Sequence, residues 1–311
     1  MKRFITLIIA AFAAVLSLSA REANASVPAQ IETKDYNFAH FTELEIGFTY
    51  QVELTRSDRY AVSVEAPDFM APYLRVELRG SRLVLSCYEL PRDVRRRLDS
   101  GRYKLRAFVS MPELDVLKMS GASKLEATGE FTPRRTFVVA LSGASSVSGL
   151  AARSRDASFE CSGASRMAFS GSFDRVDIEI SGSGNCDFDF SAKEAEVELS
   201  GASKLFAKGN ITRLDVETSG ASTFTMSGKV GALDCGASGA SKISMEYAAA
   251  NVGKVRLSGA SHAVVDVRDE LGFILSGASS LRYCSHDRLR IVEQNVSRAS
   301  SVSSYTHASG R

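Results

Sequence analysis

Apolar residues recur at every second position through most of this chain. Val197 and Leu199 show the pattern ahead of one short motif, and Leu205 and Ala207 continue it after that motif. Such alternation is typical of a half-buried β-strand, because successive side chains of a strand point to opposite faces of a sheet. The segment 36–110 shows the same pattern with less regular spacing. The chain is therefore predicted to consist of many short strands.

A Ser-Gly-Ala-Ser motif separates the alternating segments at a steady interval. A variant at 181–184 and a degraded copy at 297–300 bring the series to ten copies, whose starts are 18 to 22 residues apart. The eight regular copies begin at Ser120, Ser142, Ser162, Ser200, Ser219, Ser238, Ser258 and Ser276. A repeat this short and constant indicates a solenoid, in which each unit is one coil stacked on the next.

The repeat predicts an all-β fold: a single-stranded parallel β-helix (β-solenoid) of about ten coils of 18–22 residues, with right-handed winding. Intervals this short leave no room for the crossover helix of a βαβ unit. Glycine in every unit disfavours a helical repeat, and a propeller would need two copies for each blade. At about 4.8 Å per coil, ten coils form a rod on the order of 45–50 Å long.

Each residue of the motif has an expected place. The glycine is expected at a corner where a Cβ would block the backbone, with the alanine tucked beneath it. The two serines are expected to stack in ladders, with structure as their first role and ligand contact as the alternative. The second serine and the residue after it form the candidate ligand surface: Ser123, Lys124, Ser165, Arg166, Ser203, Lys204, Ser222, Thr223, Ser241 and Lys242.

The first residues have the layout of a secretory signal peptide. Lys2 and Arg3 precede an apolar run that ends at Leu18, and small residues follow up to an expected cleavage site after Ala25. The run is short for a membrane-spanning helix, so stable membrane insertion is not expected. The predicted organisation is a signal peptide at 1–25, a flexible N-terminus at 26–35, a β-helix domain at 36–302 with opening strands and cap at 36–110 and coils at 111–302, and a flexible tail at 303–311.

Charge argues against a nucleic-acid partner. Removal of residues 1–25 takes away three basic residues and one acidic residue, so the counts fall from 38 to 35 and from 36 to 35. A nearly neutral protein lacks the basic face that must replace phosphate counterions. The one long insertion, 88–102, is expected to be a solvated loop whose alternative role is to bind an anionic ligand, through Arg92, Arg95, Arg96 and Arg97.

Cofactor chemistry and catalysis find little support in the residue pattern. The five cysteines are odd in number and widely spaced, so neither a disulfide framework nor a metal site is predicted, and no cofactor is expected. A polysaccharide lyase or hydrolase would need clustered carboxylates, for which Asp187 and Asp189 are the best candidates, with Asp174, Asp177 and Asp215 near them. The equivalent positions in other copies are mixed in character, among them Glu126, Ser148, Lys204 and Phe206, so no column of acids is expected on one face.

The order of these features resembles the auto-transporter adhesin, head GIN domain family. The resemblance rests on the opening strands from Phe41 to Leu54, the segment 109–114 leading into the first motif, the serial Ser-Gly-Ala-Ser coils, and the variant at 181–185. It implies a β-helix and assigns no catalytic residues. We therefore expect a non-catalytic, exported adhesin-like or cell-envelope protein, periplasmic or on the outer surface, whose flat, uncharged, serine-rich face binds a polysaccharide or an envelope protein. The alternative is a polysaccharide-active enzyme near Asp187 and Asp189.

Overall fold

The computed structural model of the protein describes residues 29–306. The fold is nearly all β, with 65% strand and 5% helix, and it winds a β-solenoid of about ten turns. The predicted fold class is therefore confirmed. The expected signal peptide and residues 307–311 lie outside the described residues. Right-handed winding stays a prediction.

The elements fall into an opening part and a run of coils. The opening part contains β1 (Ile31–Tyr36), β2 (Glu43–Ile46), β3 (Tyr50–Arg56), β4 (Ala61–Pro67), a 3₁₀ turn (Asp68–Tyr73), β5 (Leu74–Arg79), β6 (Arg82–Cys87), α1 (Arg92–Asp99) and β7 (Leu105–Met111). The coils contain β8 (Val116–Met119), β9 (Lys124–Thr128), β10 (Glu130–Phe131), β11 (Phe137–Leu141), β12 (Ser146–Arg153), β13 (Asp156–Cys161), β14 (Arg166–Ile180), β15 (Asn185–Leu199), β16 (Lys204–Thr218), β17 (Thr223–Ala237), β18 (Lys242–Leu257), β19 (His262–Leu275), β20 (Ser280–Cys284), β21 (Arg290–Val296) and β22 (Ser301–Tyr305).

From β14 to β19, each coil consists of one motif turn and one long strand. Neighbouring strands are parallel, and Leu205 of β16 faces Cys186 of β15 and Phe224 of β17. Side chains of β16 alternate between solvent and core, except at residues 209–213, where the alternation is interrupted. These interruptions bend the strand around the core. Each coil therefore has a post-turn face, 204–208 in β16, and a pre-turn face, 213–218 in β16.

One continuous apolar core fills the solenoid. Leu199 and Leu205, which occupy the repeated apolar slots on either side of a motif, are at most 2% exposed. Phenylalanine rings stack along the axis, with the ring centre of Phe159 lying 4.6 Å from that of Phe169 and 5.1 Å from that of Phe188. Each such burial is worth roughly 1.5–3 kcal/mol, so the coil-to-coil apolar contacts hold the stack together.

Antiparallel strands close the N-terminal end of the solenoid. β6 and β7 begin the parallel stack, because they pair in parallel with β2 and β3, which in turn pair in parallel with β8 and β9. Beyond them β4 pairs antiparallel with β7 and with β1, and β5 forms a hairpin with β6. A change of strand direction at the edge interrupts the parallel stack, which is how a cap protects an open end.

Three segments that were expected to be irregular contain regular structure. The flexible N-terminus expected at 26–35 ends in β1, which pairs with β4 from residue 31 onward. The tail expected to be flexible from residue 303 instead begins inside β22, which pairs with β20. The expected loop at 88–102 contains helix α1, because Val94 and Leu98 lie one helical turn apart and are both buried.

Candidate ligand-binding face

The second serine of each motif is buried, which corrects its place on the candidate ligand surface. Ser203 and Ser241 have no exposed area. Ser241 Oγ donates a hydrogen bond to the carbonyl oxygen of Ser238 at 2.7 Å, so the hydroxyl satisfies the turn rather than a ligand. The other motif serines assigned to that surface are buried in the same way: Ser123, Ser165 and Ser222. The motif alanine is exposed at the tip of the turn, so the expectation that it lies beneath the corner is wrong.

The residue after each motif lies on the solvent side and forms an in-register column, which we call the cation column. In β16, Lys204 faces Asn185 on one side and Thr223 on the other. From the first motif to the eighth turn the column, in order along the axis, is Lys124, Ser146, Arg166, Asn185, Lys204, Thr223, Lys242 and His262, and Ser280 and Ser301 continue it. Lysine or arginine occupies every second coil from Lys124 to Lys242, so positive charges recur at about 9–10 Å.

A groove beside the cation column is centred on Phe206. We call it the Phe206 groove; its volume is about 470 Å³. The Phe206 ring is 45% exposed and lies in register between Asp187 and Thr225. The lining of the groove includes the side chains of Asp187, Asp189, Phe206, Lys208 and Thr225. Phe206 is one of the few large apolar residues of the sheet that are exposed, together with residues such as Tyr247 and Val292.

The two aspartates of the groove lie on one strand and point to the same side. Lys208 Nζ is 3.3 Å from Asp189 Oδ2, and the two side chains are 71% and 62% exposed. Asp187 lies two residues before Asp189, which separates the two side chains by about 6.6 Å along the strand. Both aspartates are exposed, and Asp189 is paired with Lys208.

The pre-turn face carries two in-register columns of carboxylates, so the expectation that no column of acids forms on one face is wrong. The first column lies two residues before the motif and contains Glu160, Glu179, Glu198 and Glu217. The second lies four residues before it and contains Asp177, Glu196, Asp215 and Asp234. Arg256 meets both columns, with its guanidinium 3.1 Å from Glu217 Oε1 and 2.6 Å from Asp234 Oδ1.

Charge is therefore separated across the middle turns of the solenoid. There the face before the turn carries the two acidic columns, and the face after it carries the cation column; Lys118 and Arg256 stand before the turn in other coils. The sequence carries the signal for these acidic columns at fixed offsets, two and four residues before the first serine of the motif. Near-neutral composition thus hides two faces of opposite sign, which corrects the expectation of an uncharged hydroxyl surface.

The four candidate arginines of the insertion lie on helix α1. Arg92, Arg95, Arg96 and Arg97 are all exposed. The guanidinium of Arg97 lies 4.1 Å from the ring centre of Phe69, in cation–π contact. The other three side chains project from a helix rather than from a loop.

The fold is a stacked β-solenoid whose surface carries repeated in-register columns. A family model described as "Putative auto-transporter adhesin, head GIN domain" matches residues 40–207 and 186–286. The chain belongs to this family, and the resemblance seen in the sequence is confirmed. Membership indicates an exported or surface protein that binds other molecules. No curated protein shows a significant match to the sequence.

Several solved structures share this fold. A protein described as a putative adhesin from Parabacteroides distasonis is 16% identical, with a TM-score of 0.52 over 89% of this chain and 98% of that one. A putative lipid binding protein from the same organism is 14% identical, with a TM-score of 0.52 over 90% and 98%. A putative adhesin from Parabacteroides merdae is 13% identical, with a TM-score of 0.50 over 90% and 98%. At these identities the likeness shows the fold alone. Within residues 29–306 no helix has the length and apolar character to cross a membrane.

Proposed function

We propose that the protein is a non-catalytic, exported adhesin-like protein that binds an anionic polysaccharide along its post-turn face. The observation that carries the proposal is the spacing of the cation column. Lys124, Arg166, Lys204 and Lys242 are separated by two coils each, about 9–10 Å, which is comparable to the length of a disaccharide. A polymer with one carboxylate in every second sugar would meet one cation per repeat. Many weak contacts in register then add up to useful avidity.

The Phe206 groove supplies contacts that charge alone does not. A pyranose ring has an apolar side formed by its C–H groups, and the exposed Phe206 ring offers a flat apolar surface for it. Asp187 lies in register beside that ring and can accept hydrogen bonds from sugar hydroxyls. Since Phe206 follows Lys204 by two residues, the ring and a cation of the column point to the same side of the strand.

Export and lack of catalysis are parts of the same proposal. Residues 1–25 have the composition of a signal peptide, which would place the protein in the periplasm or on the outer surface. The exposed Asp187 and Asp189 favour ligand hydrogen bonding over proton transfer. The alternative, a polysaccharide lyase or hydrolase acting through these two carboxylates, predicts cleavage products, which a simple binder would not release.

The test is retention of the purified full-length protein on immobilised polysaccharides, scored for both binding and cleavage. We expect retention on polygalacturonate or alginate, little retention on neutral dextran, and weaker retention at high salt because exposed charges are screened. Lys204→Gln and Phe206→Ala should each weaken retention. Their matched controls are Lys229→Gln, an exposed lysine outside the column, and Tyr88→Ala, an aromatic residue that is 57% exposed outside the groove.

The outcomes separate the alternatives. Equal retention of Lys204→Gln and Lys229→Gln would remove the cation column as the binding surface. Cleavage that disappears in Asp187→Asn or Asp189→Asn would establish the enzyme instead. Absence of retention on every polysaccharide, with capture of an envelope protein, would show that the ligand is a protein.

A further inference from the structure

Three metal-ligand side chains meet where the solenoid reaches its last coils. Asp266 belongs to β19, Cys284 ends β20, and His286 lies in the turn that follows. Each offers one ligand atom, and these three atoms all lie within 4.8 Å of one another. The sequence hides the grouping, because Asp266 stands one coil before Cys284 and His286 and joins them only when the coils stack.

The cluster is partly inside the protein. Asp266 is 7% exposed and Cys284 is 2% exposed. His286, whose side chain is 30% exposed, places Nε2 at 2.5 Å from Asp266 Oδ1 and provides a path to solvent. Charged groups that are buried in proteins are generally paired or coordinate a metal ion.

We propose that Asp266, Cys284 and His286 bind a divalent transition-metal ion of the zinc type. Thiolate, imidazole and carboxylate together are the donor set of zinc, whereas calcium and magnesium select oxygen ligands. Bond lengths of about 2.0–2.3 Å put the donors of a tetrahedral site on the order of 3.3–3.8 Å apart. The three ligand atoms lie within 4.8 Å of one another, and a tetrahedral site requires Nε2 of His286 and Oδ1 of Asp266, now 2.5 Å apart, to move apart by roughly 1 Å.

The site would join parts of the chain that only stacking holds together. The ion would connect β19, β20 and the turn after β20. Tyr305 of β22 faces Cys284 in register, so the last strand lies next to the cluster. Three protein ligands leave a fourth tetrahedral position for water or an external ligand.

The test uses the purified, reduced full-length protein titrated with Co²⁺ and then with Zn²⁺. We expect one equivalent of Co²⁺ to bind with the near-ultraviolet charge-transfer band of a cobalt–thiolate bond, and Zn²⁺ to displace it. Cys284→Ser should abolish the band, and His286→Gln should weaken binding. Cys87→Ser and His262→Gln, which change a cysteine and a histidine outside the cluster, should leave the titration unchanged.

Two results would overturn the proposal: no saturable binding near one equivalent in the unmodified protein, or a thiolate band that persists in Cys284→Ser. The titration of the unmodified protein needs no variant to fold. Far-ultraviolet circular dichroism of Cys284→Ser distinguishes a lost ligand from a lost fold.

Discussion

Gly201 lies directly over the peptide of Gly182 in the preceding turn. A Cβ on Gly201 would be 2.5 Å from the carbonyl oxygen of Gly182, and φ at Gly201 is +74°. The next residue, Ala202, donates its N–H to that same oxygen at 2.7 Å. The motif therefore requires glycine for two separate reasons, the backbone conformation and the close approach of the coil beneath.

Gly201→Ala should destabilise the protein by more than about 1 kcal/mol, since it adds a steric clash to the strain of a positive φ. The midpoint of urea unfolding measures the change. Gly80→Ala is the matched control, because Gly80 has φ +60° and a Cβ added there would have nothing within 4 Å. Equal losses in the two variants would mean that conformation alone, and not coil stacking, selects the glycine.

Ser241 and Thr218 form a buried hydroxyl pair. Thr218 Oγ1 donates to Ser241 Oγ at 3.0 Å, and both residues are at most 2% exposed. Ser241→Ala should cost about 1–2 kcal/mol in the free energy of unfolding, because it removes a buried partner. The double variant with Thr218→Val should lose less than the sum of the two single variants. Additive losses would show that the pair is not coupled. Ser238→Ala, which changes the half-buried first serine of the turn, is the control.

Asp215 should lower stability at neutral pH. Burial, followed by the Asp234 and Glu217 carboxylates, raises its pKa. A carboxyl whose pKa is higher in the folded state favours folding below the unfolded pKa of about 3.9, and this contribution is lost as pH rises through the folded pKa. Asp215→Asn should therefore stabilise the protein at pH 7, by less than about 1 kcal/mol because solvent screens the site.

The gain from Asp215→Asn should vanish at acidic pH, where the carboxyl is protonated in both the folded and the unfolded state. Unfolding midpoints across the pH range measure it. Asp187→Asn is the control, since the in-register neighbours of Asp187 are Ala168 and Phe206 rather than acids. A gain that persists at acidic pH would contradict the electrostatic explanation.

The native protein should react slowly with thiol reagents. Cys87 is half-buried, and burial raises the pKa of its thiol to about 12, so little reactive thiolate exists at mildly alkaline pH. The other four cysteines are buried. Ellman's reagent should therefore modify Cys87 first and all five thiols only after unfolding. Rapid modification of Cys87→Ser would show that a thiol assigned to the core is accessible.

The sequence was sufficient to predict the coils, because the core positions hold large apolar residues at a regular spacing. Leu199 and Leu205 fall where alternation and period both place them, and both are buried. Serine carries no such signal, since it is small enough for the core and polar enough for the surface. The burial of Ser203 depends on a backbone acceptor, the carbonyl of Ile180 at 3.3 Å, that only the folded turn supplies.

The surface was harder to predict than the core. Phe206 occupies a solvent-facing position of the alternating pattern, so its exposure could be predicted from the sequence. The groove around it could not, because its other walls come from neighbouring coils. The acidic columns could also have been predicted, because their carboxylates stand at fixed offsets of two and four residues before the motif. The cluster of Asp266, Cys284 and His286 could not be predicted without the register between coils, because its members come from consecutive coils.

The constant register also makes the length of the solenoid adjustable. Deletion of residues 200–218, one turn and one strand, would join Leu199 to Ser219 and restore an intact motif. The stack would shorten by one step of about 4.8 Å. It would also bring Asn185 beside Thr223 and break the alternation of charge, whereas loss of two coils would preserve it. Loss or gain of whole repeats thus changes the length of the solenoid by one coil at a time. The alternation of charged and neutral residues in the cation column is kept only when the number of coils changes by an even number.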